Sequence, residues 1–278
     1  MKKQKTDPVI KLTAGRKLFL IFGIFILLYI IGTVLPLEST PHYYNRMSRV
    51  WNWTEILILL TAVYYIIKTK VFRWRQAVLS LLLGAVCLVS LFRDPRTADI
   101  IVTSVCVAAA FYAACRLFEL AGVENVTLQA GVAGSIRSFG LGAAISIPLA
   151  LLNVLYLSLS RPVNIGNLFR SAAFALKPAI AEEVIFRFFL LAFACHLLQG
   201  KTEKRSVNLL LYVLLVLPHA LLHVPDLFFK SPGMAVLMCI LNSLLFSLPM
   251  ALFMKKKNLQ AAIGMHWLID FVRFSAGF

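Results

Sequence analysis

The stretch that decides the fold is AEEVIFRFFL at residues 181–190, where Glu182, Glu183 and Arg187 interrupt an apolar run. A charged group at the centre of a bilayer costs about 2.5 kcal/mol or more, so such groups usually face a partner or a water-filled cavity. On a helix, Glu183 and Arg187 lie four residues apart on one face and can pair. Glu182 is rotated by about 100° and is left available for another task. From this spacing alone, a pair that only joins helices and a functional site are equal alternatives.

The composition around this stretch predicts a membrane protein. Of the 278 residues, 60% are hydrophobic and 14% are charged, which is too apolar for a soluble domain of this size. Because helices satisfy their own backbone hydrogen bonds in lipid, we predict an all-α, polytopic transmembrane bundle of about eight to nine hydrophobic helices. The net charge is +16, but the basic residues lie between apolar runs, as membrane topology requires. We therefore expect a lipid bilayer, and no nucleic acid, as the partner.

The chain divides into three predicted regions. Residues 1–17 form a basic tail, residues 18–138 form an N-terminal region of four membrane helices, and residues 139–278 form a catalytic membrane core. The mixed segment 160–177 is interpreted as a short interfacial helix, and the last apolar run is short for a full span. The predicted apolar runs are 18–37, 51–67, 77–92, 100–120, 139–159, 178–198, 207–224, 234–254 and 259–274.

The basic residues predict the orientation in the membrane. Placing the N-terminus in the cytoplasm puts the links 1–17, 68–76, 121–138, 199–206 and 255–258 on that side. All of these links except 121–138 are among the most basic in the chain, which agrees with the positive-inside rule. We therefore predict a multi-pass protein of the plasma membrane with a cytoplasmic N-terminus.

This topology brings distant polar residues to one depth. The two glutamates are expected in the first turns of their span, and His219 and His223 in the last turns of the next. His266 lies near the middle of the last apolar run, with Asp270 one turn beyond it. At a rise of about 1.5 Å per residue, all of these groups share one slab in the outer half of the membrane. Acids and imidazoles gathered at one depth favour a functional site over a pair that only joins helices.

Such a cluster is typical of hydrolysis of an amide bond. A carboxylate and an imidazole that hold a water can take its proton and direct its oxygen at a carbonyl, while a second imidazole stabilises the oxyanion. Glutamate and histidine also bind zinc, and Glu182, His223 and His266 are the metal-ligand candidates. The sequence lacks the HExxH zinc motif. A zinc-assisted mechanism and a metal-free glutamate mechanism both remain open.

The same residues resemble a known family. The two glutamates and Arg187 resemble the EExxxR signature of the CPBP family, which comprises CAAX-prenyl-protease and bacteriocin-processing (Abi) membrane proteins. His223 is similar to the histidine of its FxxxH motif, and His266 with Asp270 to its HxxxN/D motif. The resemblance covers about residues 140–278. His219 departs from the pattern because it stands at the phenylalanine position of FxxxH.

The resemblance implies a role for each matched residue. Glu182 would be the general base that activates water, with His223 helping to hold that water. Glu183 and Arg187 would form a supporting pair.

On the opposite side of the substrate, the resemblance places His266 and Asp270 at the oxyanion, although an ionised aspartate is a poor oxyanion partner. His219 would add polarity to the cavity. Asn242, in the next apolar run, is interpreted either as a further hydrogen-bonding group at the site or as a helix-packing residue.

The predicted function is that of an intramembrane endopeptidase acting on a membrane-embedded or lipid-anchored peptide. Prokaryotic members of the family are linked to peptide maturation, signalling and bacteriocin immunity, whereas prenylated CAAX substrates belong to eukaryotic relatives. One alternative is a non-catalytic membrane scaffold or immunity factor that retains the fold. A second alternative is a proton-coupled transporter, but the repeated halves common in transporters are not found in the sequence.

Overall fold

The computed structural model describes residues 13–36, 45–89, 97–123, 128, 131–202 and 204–278. All regular elements in these ranges are helices, which confirms the all-α prediction. Most of the predicted basic tail lies outside the described residues. The helices are α1 (Ala14–Val34), α2 (Arg46–Thr69), α3 (Trp74–Leu88), α4 (Thr97–Leu120), α5 (Val132–Ser158), α6 (Leu168–Glu182), α7 (Leu190–Leu197), α8 (Arg205–Leu222), α9 (Pro225–Lys230), α10 (Pro232–Asn242), α11 (Leu248–Lys256) and α12 (Leu259–Ser275).

Two π-helical segments interrupt this series. The first, π-segment 1 (Glu183–Phe189), joins α6 to α7 without a break, and the second, π-segment 2 (Ser243–Ser247), joins α10 to α11. Such segments insert an extra residue into a turn and often occur at functional sites. The sequence analysis did not predict either of them.

Several helices are long and apolar enough to cross a membrane. Within the described residues these are α1, α2, α4, α5, α8 and the continuous helix Pro232–Lys256. The predicted polytopic membrane protein is therefore confirmed. The predicted span 77–92 overlaps α3, which has 15 residues and ends at Leu88, and this length is short for a full crossing. Residues 90–92 lie outside the described part of the chain.

The helix that carries the charged stretch begins earlier than predicted. In place of a short interfacial helix and a span from residue 178, α6 begins at Leu168, and its N-terminus is capped by the Asn167 side chain, which accepts a hydrogen bond from the Arg170 amide. Pro178 lies inside this helix. Glu182 therefore lies about 21 Å from the start of the helix at 1.5 Å per residue. The expectation that the two glutamates lie in the first turns is wrong.

Two glycines allow α5 and α12 to pack closely. A Cβ at Gly142 would collide with the Ala261 carbonyl, and one at Gly264 would collide with the Phe139 carbonyl. Small residues at such positions let helix backbones approach in a membrane. Because α12 also packs on α6, this contact fixes the helix that carries His266 against the helix that carries the glutamates.

Candidate active site

The structure brings most of the predicted polar residues together in the interior. Glu182 ends α6, Glu183 and Arg187 lie in π-segment 1, His219 lies in the last turn of α8, and His266 lies in the middle of α12. Each of these residues is at most 8% exposed. The predicted convergence of three helices that are far apart in sequence is therefore present.

Glu183 and Arg187 form the predicted pair. Arg187 Nη1 donates to Glu183 Oε1 at 2.5 Å, and both side chains are fully buried. The same carboxylate oxygen lies 2.9 Å from His266 Nδ1. Glu183 thus ties π-segment 1 to α12.

Glu182 faces the histidines. Its Oε2 atom forms a short hydrogen bond with His219 Nε2 and lies 3.5 Å from His266 Nε2 and 3.8 Å from His223 Nε2. One carboxylate oxygen is therefore surrounded by three imidazoles. Glu182 is separate from the Glu183–Arg187 pair, as the rotation between neighbouring helix positions predicted.

His219 has a larger part in this cluster than the sequence predicted. Its Nδ1 atom lies 3.4 Å from Arg187 Nη2 and 3.2 Å from Ser247 Oγ. The permanent positive charge of Arg187 favours the tautomer of His219 that carries its proton on Nε2. That proton is then donated to Glu182, so the chain Arg187–His219–Glu182 holds the carboxylate in place.

Ser247 was missed by the sequence analysis. This fully buried residue of π-segment 2 accepts a hydrogen bond from Arg187 Nη2 at 2.8 Å and donates to the Val216 carbonyl at 3.1 Å. The side chain of Asn242, which was interpreted as a hydrogen-bonding or a packing residue, makes no hydrogen bond with the described residues. A lone serine in an apolar run is a weak signal, and only the π-helical turn brings Ser247 to Arg187.

Asp270 lies beside His266 but has a second partner. Its Oδ2 atom is 3.5 Å from His266 Nε2, and its Oδ1 atom forms an ion pair with Arg273 Nη2 at 2.8 Å. Asp270 is 5% exposed. Its carboxyl group is therefore shared between His266 and Arg273. Arg273, three residues further along α12, was not predicted as part of this group.

The site opens to its surroundings at His223. This residue follows the last turn of α8, and its side chain is 34% exposed, compared with 7% for His219 and 11% for Glu182. Glu182, His219 and His223 each offer one ligand atom, and these atoms lie within 4.8 Å of one another. One carboxylate and two imidazoles suit zinc. In this set, His219 takes the place that the sequence gave to His266.

Comparison with known proteins supports the family resemblance. Residues 164–272 match the family model described as type II CAAX prenyl endopeptidase Rce1-like. All of the motif residues on α6, π-segment 1, α8 and α12 lie inside this range, so the predicted resemblance is confirmed for this part of the chain. No curated protein and no solved structure gives a match. Helices α1–α5 lie outside the matched range.

Proposed function

We propose that this multi-pass membrane protein is an intramembrane endopeptidase that hydrolyses a peptide bond of a membrane-associated peptide or protein. The observation that carries the proposal is the environment of Glu182 Oε2, which faces His219, His223 and His266 in a buried cluster. These groups can accept and donate protons at one place, as hydrolysis by an activated water requires. The family match points to the same class of enzyme.

In the proposed reaction Glu182 is the general base. A water on the open side, near His223, gives its proton to the Glu182 carboxylate while its oxygen attacks the carbonyl carbon of the substrate. The carbonyl oxygen becomes an oxyanion. The proton then passes to the amide nitrogen, the carbon–nitrogen bond breaks, and a carboxylic acid and an amine are released.

The neighbouring residues prepare the site for this step. The hydrogen bond from His219 keeps the Glu182 carboxylate oriented, and Arg187, which faces His219 Nδ1 and donates to Ser247, fixes His219 in turn. Preorganised donors of this kind stabilise developing charge without rearrangement during the reaction.

The roles of His266 and Asp270 follow from their hydrogen-bond chemistry. His266 contacts the glutamates and Asp270, and a ring N–H is a suitable donor for the oxyanion. Asp270 is paired with Arg273. We therefore assign Asp270 to orienting His266.

A divalent metal remains compatible with this site. The ligand types of Glu182, His219 and His223 fit zinc, and these residues would hold it. When bound, zinc would supply an activated water and polarise the substrate carbonyl. Adding a chelator and measuring zinc content in the purified protein separates this variant from a metal-free glutamate mechanism.

The substrate class follows from the membrane setting. We propose a membrane-embedded or lipid-anchored peptide in a bacterial plasma membrane, processed for maturation, signalling or bacteriocin immunity, with the N-terminus of the enzyme in the cytoplasm. The family description names a prenylated CAAX substrate, and a prenylated peptide ending in this motif is the second class to assay.

The test compares native membranes that contain the wild type, Glu182→Gln or His223→Ala at equal protein levels. Total membrane peptides are profiled by mass spectrometry. The proposal expects both variants to accumulate the same uncleaved peptide. If the peptide profile of both variants equals that of the wild type, the non-catalytic scaffold or immunity factor replaces the endopeptidase as the function.

A further inference from the structure

The N-terminal helices reach the candidate active site at one tryptophan. Trp51, in the second turn of α2, lies edge-on to His223, with ring centroids 6.1 Å apart, and edge-on to Phe186, with centroids 5.1 Å apart. Trp51 is half-buried, and the His223 side chain is 34% exposed. An aromatic residue from outside the family match therefore covers one side of the most exposed imidazole of the site.

Within the described residues, His223 has one other ring contact, which is edge-on to His219 with centroids 4.9 Å apart. Its Nε2 atom lies 3.4 Å from His219 Nε2 and 3.8 Å from Glu182 Oε2. It is also the first residue after α8, where the regular helical hydrogen bonding ends. Edge-on aromatic contacts favour one ring orientation and contribute about 0.5–1.5 kcal/mol. The contacts with Trp51 and His219 together thus set the direction in which His223 points.

A carboxylate clamp holds α2 against the segment that carries His223. Asp226, in α9, accepts hydrogen bonds from the Met47 amide at 3.1 Å and the Arg46 amide at 3.4 Å. It also lies 3.7 Å from Arg46 Nη1. Negative charge is stabilising at a helix N-terminus. The clamp lies one turn before Trp51 and three residues after His223, so it sets the distance between the two rings.

A second clamp holds α2 against α1. Arg49 is 7% exposed, and its guanidinium donates to the carbonyls of Gly32 at 2.7 Å, Leu35 at 2.6 Å and Pro36 at 2.8 Å. These carbonyls lie at the end of α1, where no further helical turn satisfies them. Because α1 packs on α8, the start of α2 is fixed relative to both helices, and Trp51 is held in place.

We infer that Trp51 is a positioning and specificity-determining residue, and that α2 forms the wall of the substrate opening beside His223. Trp51 keeps the His223 imidazole turned toward Glu182 and limits the size of the substrate side chain next to the scissile bond. The assignment of a substrate wall rests on the proposed endopeptidase function. The contact between Trp51 and His223 does not depend on that function.

The first experiment measures this contact without any substrate. The full chain in detergent is treated with diethyl pyrocarbonate, and modification of each histidine is followed by mass spectrometry. We expect His223 to react several-fold faster in Trp51→Ala than in the wild type, and at the wild-type rate in Trp51→Phe. His196, whose ring lies against Tyr65, is the internal reference. An unchanged His223 rate in Trp51→Ala overturns the inference.

Trp53→Ala is the matched control, because Trp53 lies on the same helix but packs near Gly32. It removes an indole of equal size, and we expect the wild-type rate at His223. If Trp53→Ala accelerates His223 as much as Trp51→Ala does, general loosening of α2 explains the effect and the specific role of Trp51 fails.

The second experiment tests the substrate wall in native membranes. Peptides released by the wild type, Trp51→Ala and Trp51→Phe are sequenced, with Glu182→Gln as the inactive reference. We expect Trp51→Ala to cleave several-fold more slowly and to accept larger residues beside the cleaved bond, and Trp51→Phe to restore the wild-type pattern. An unchanged cleavage pattern in Trp51→Ala overturns the wall. If the wild type and Glu182→Gln release the same peptides, the proposed function fails, and the labelling result alone decides the position of Trp51.

Discussion

The two halves of the molecule each bury a glutamate at membrane depth, in different surroundings. Glu55 of α2 is 3% exposed, accepts a hydrogen bond from Thr103 of α4 at 2.8 Å, and has no partner for Oε2 within the described part of the chain. Glu182 of α6 is 8% exposed and faces three imidazoles. The degree of burial is therefore similar, but the chemistry of the partners differs.

This difference separates helix association from a reactive site. Next to Glu55, the neighbouring contact between α2 and α4 is a hydrogen bond from Asn52 to Asp99 at 2.9 Å. These contacts join two helices through hydroxyl, amide and carboxyl groups and include no imidazole. Histidine exchanges protons readily near neutral pH. A buried acid thus indicates catalysis only when proton acceptors and donors surround it, and the predictions below test this contrast.

The largest effect is expected when Arg187, the buried cation of the C-terminal half, is replaced. Arg187→Met removes the charged partner of Glu183 and leaves it with His266 alone, and breaking a buried pair costs about 3–5 kcal/mol. We expect a strongly lowered unfolding temperature and loss of cleavage, measured by thermal unfolding in detergent. Arg75→Met, at an exposed position, is the control and is expected to unfold like the wild type. Equal stability of the two variants contradicts the central position of Arg187.

The next largest effect is expected at His219, which stands where the FxxxH motif of the family has a phenylalanine. His219→Phe removes the N–H that is donated to Glu182, and hydrogen bonds to charged groups contribute about 1.5–3 kcal/mol. We expect kcat/KM to fall about 10- to 100-fold, with the helix content unchanged by circular dichroism. If His219→Phe is fully active, a phenylalanine at this position is sufficient for cleavage, and His219 does not orient Glu182.

The smallest effect is expected at Ser247. Ser247→Ala removes the acceptor for Arg187 and the neighbour of His219 Nδ1, which costs about 1 kcal/mol. We expect a slightly lowered unfolding temperature and a few-fold lower kcat/KM. Ser247→Thr keeps the hydroxyl and serves as the control. A loss of activity as large as that of His219→Phe indicates that Ser247 acts on the substrate directly.

The sequence predicted the membrane class and the residues that converge, because both depend on strong signals. Long apolar runs define the spans, and charges at membrane depth require partners, so Glu182, Glu183, Arg187 and His266 were found without the structure. The π-helical segments were not found, because they depend on packing between helices and leave no periodic pattern in the sequence. Ser247 was missed for the same reason.

The start of α6 and the contribution of α2 show a second limit. Asn167 is a suitable N-cap for a helix that starts at Leu168, whereas Pro178 suggested a later start. The packing of α6 decides between these two starts. A tryptophan at the start of an apolar run, such as Trp51, is typical of an anchor at the membrane interface. Its contact with His223 depends on the clamp between Asp226 and the first turn of α2, which links residues about 180 positions apart.

The most direct test of the account compares Glu182→Gln with Glu55→Gln. Both changes replace one buried acid with a neutral side chain of similar shape. The two variants therefore differ in the residues that surround the changed position. Cleavage of the accumulated membrane peptide is measured at equal protein levels, alongside thermal unfolding. We expect Glu182→Gln to fold and to lose about 10²- to 10⁴-fold in cleavage rate, and Glu55→Gln to cleave at the wild-type rate. Equal cleavage by the two variants would contradict the assignment of Glu182 as the base.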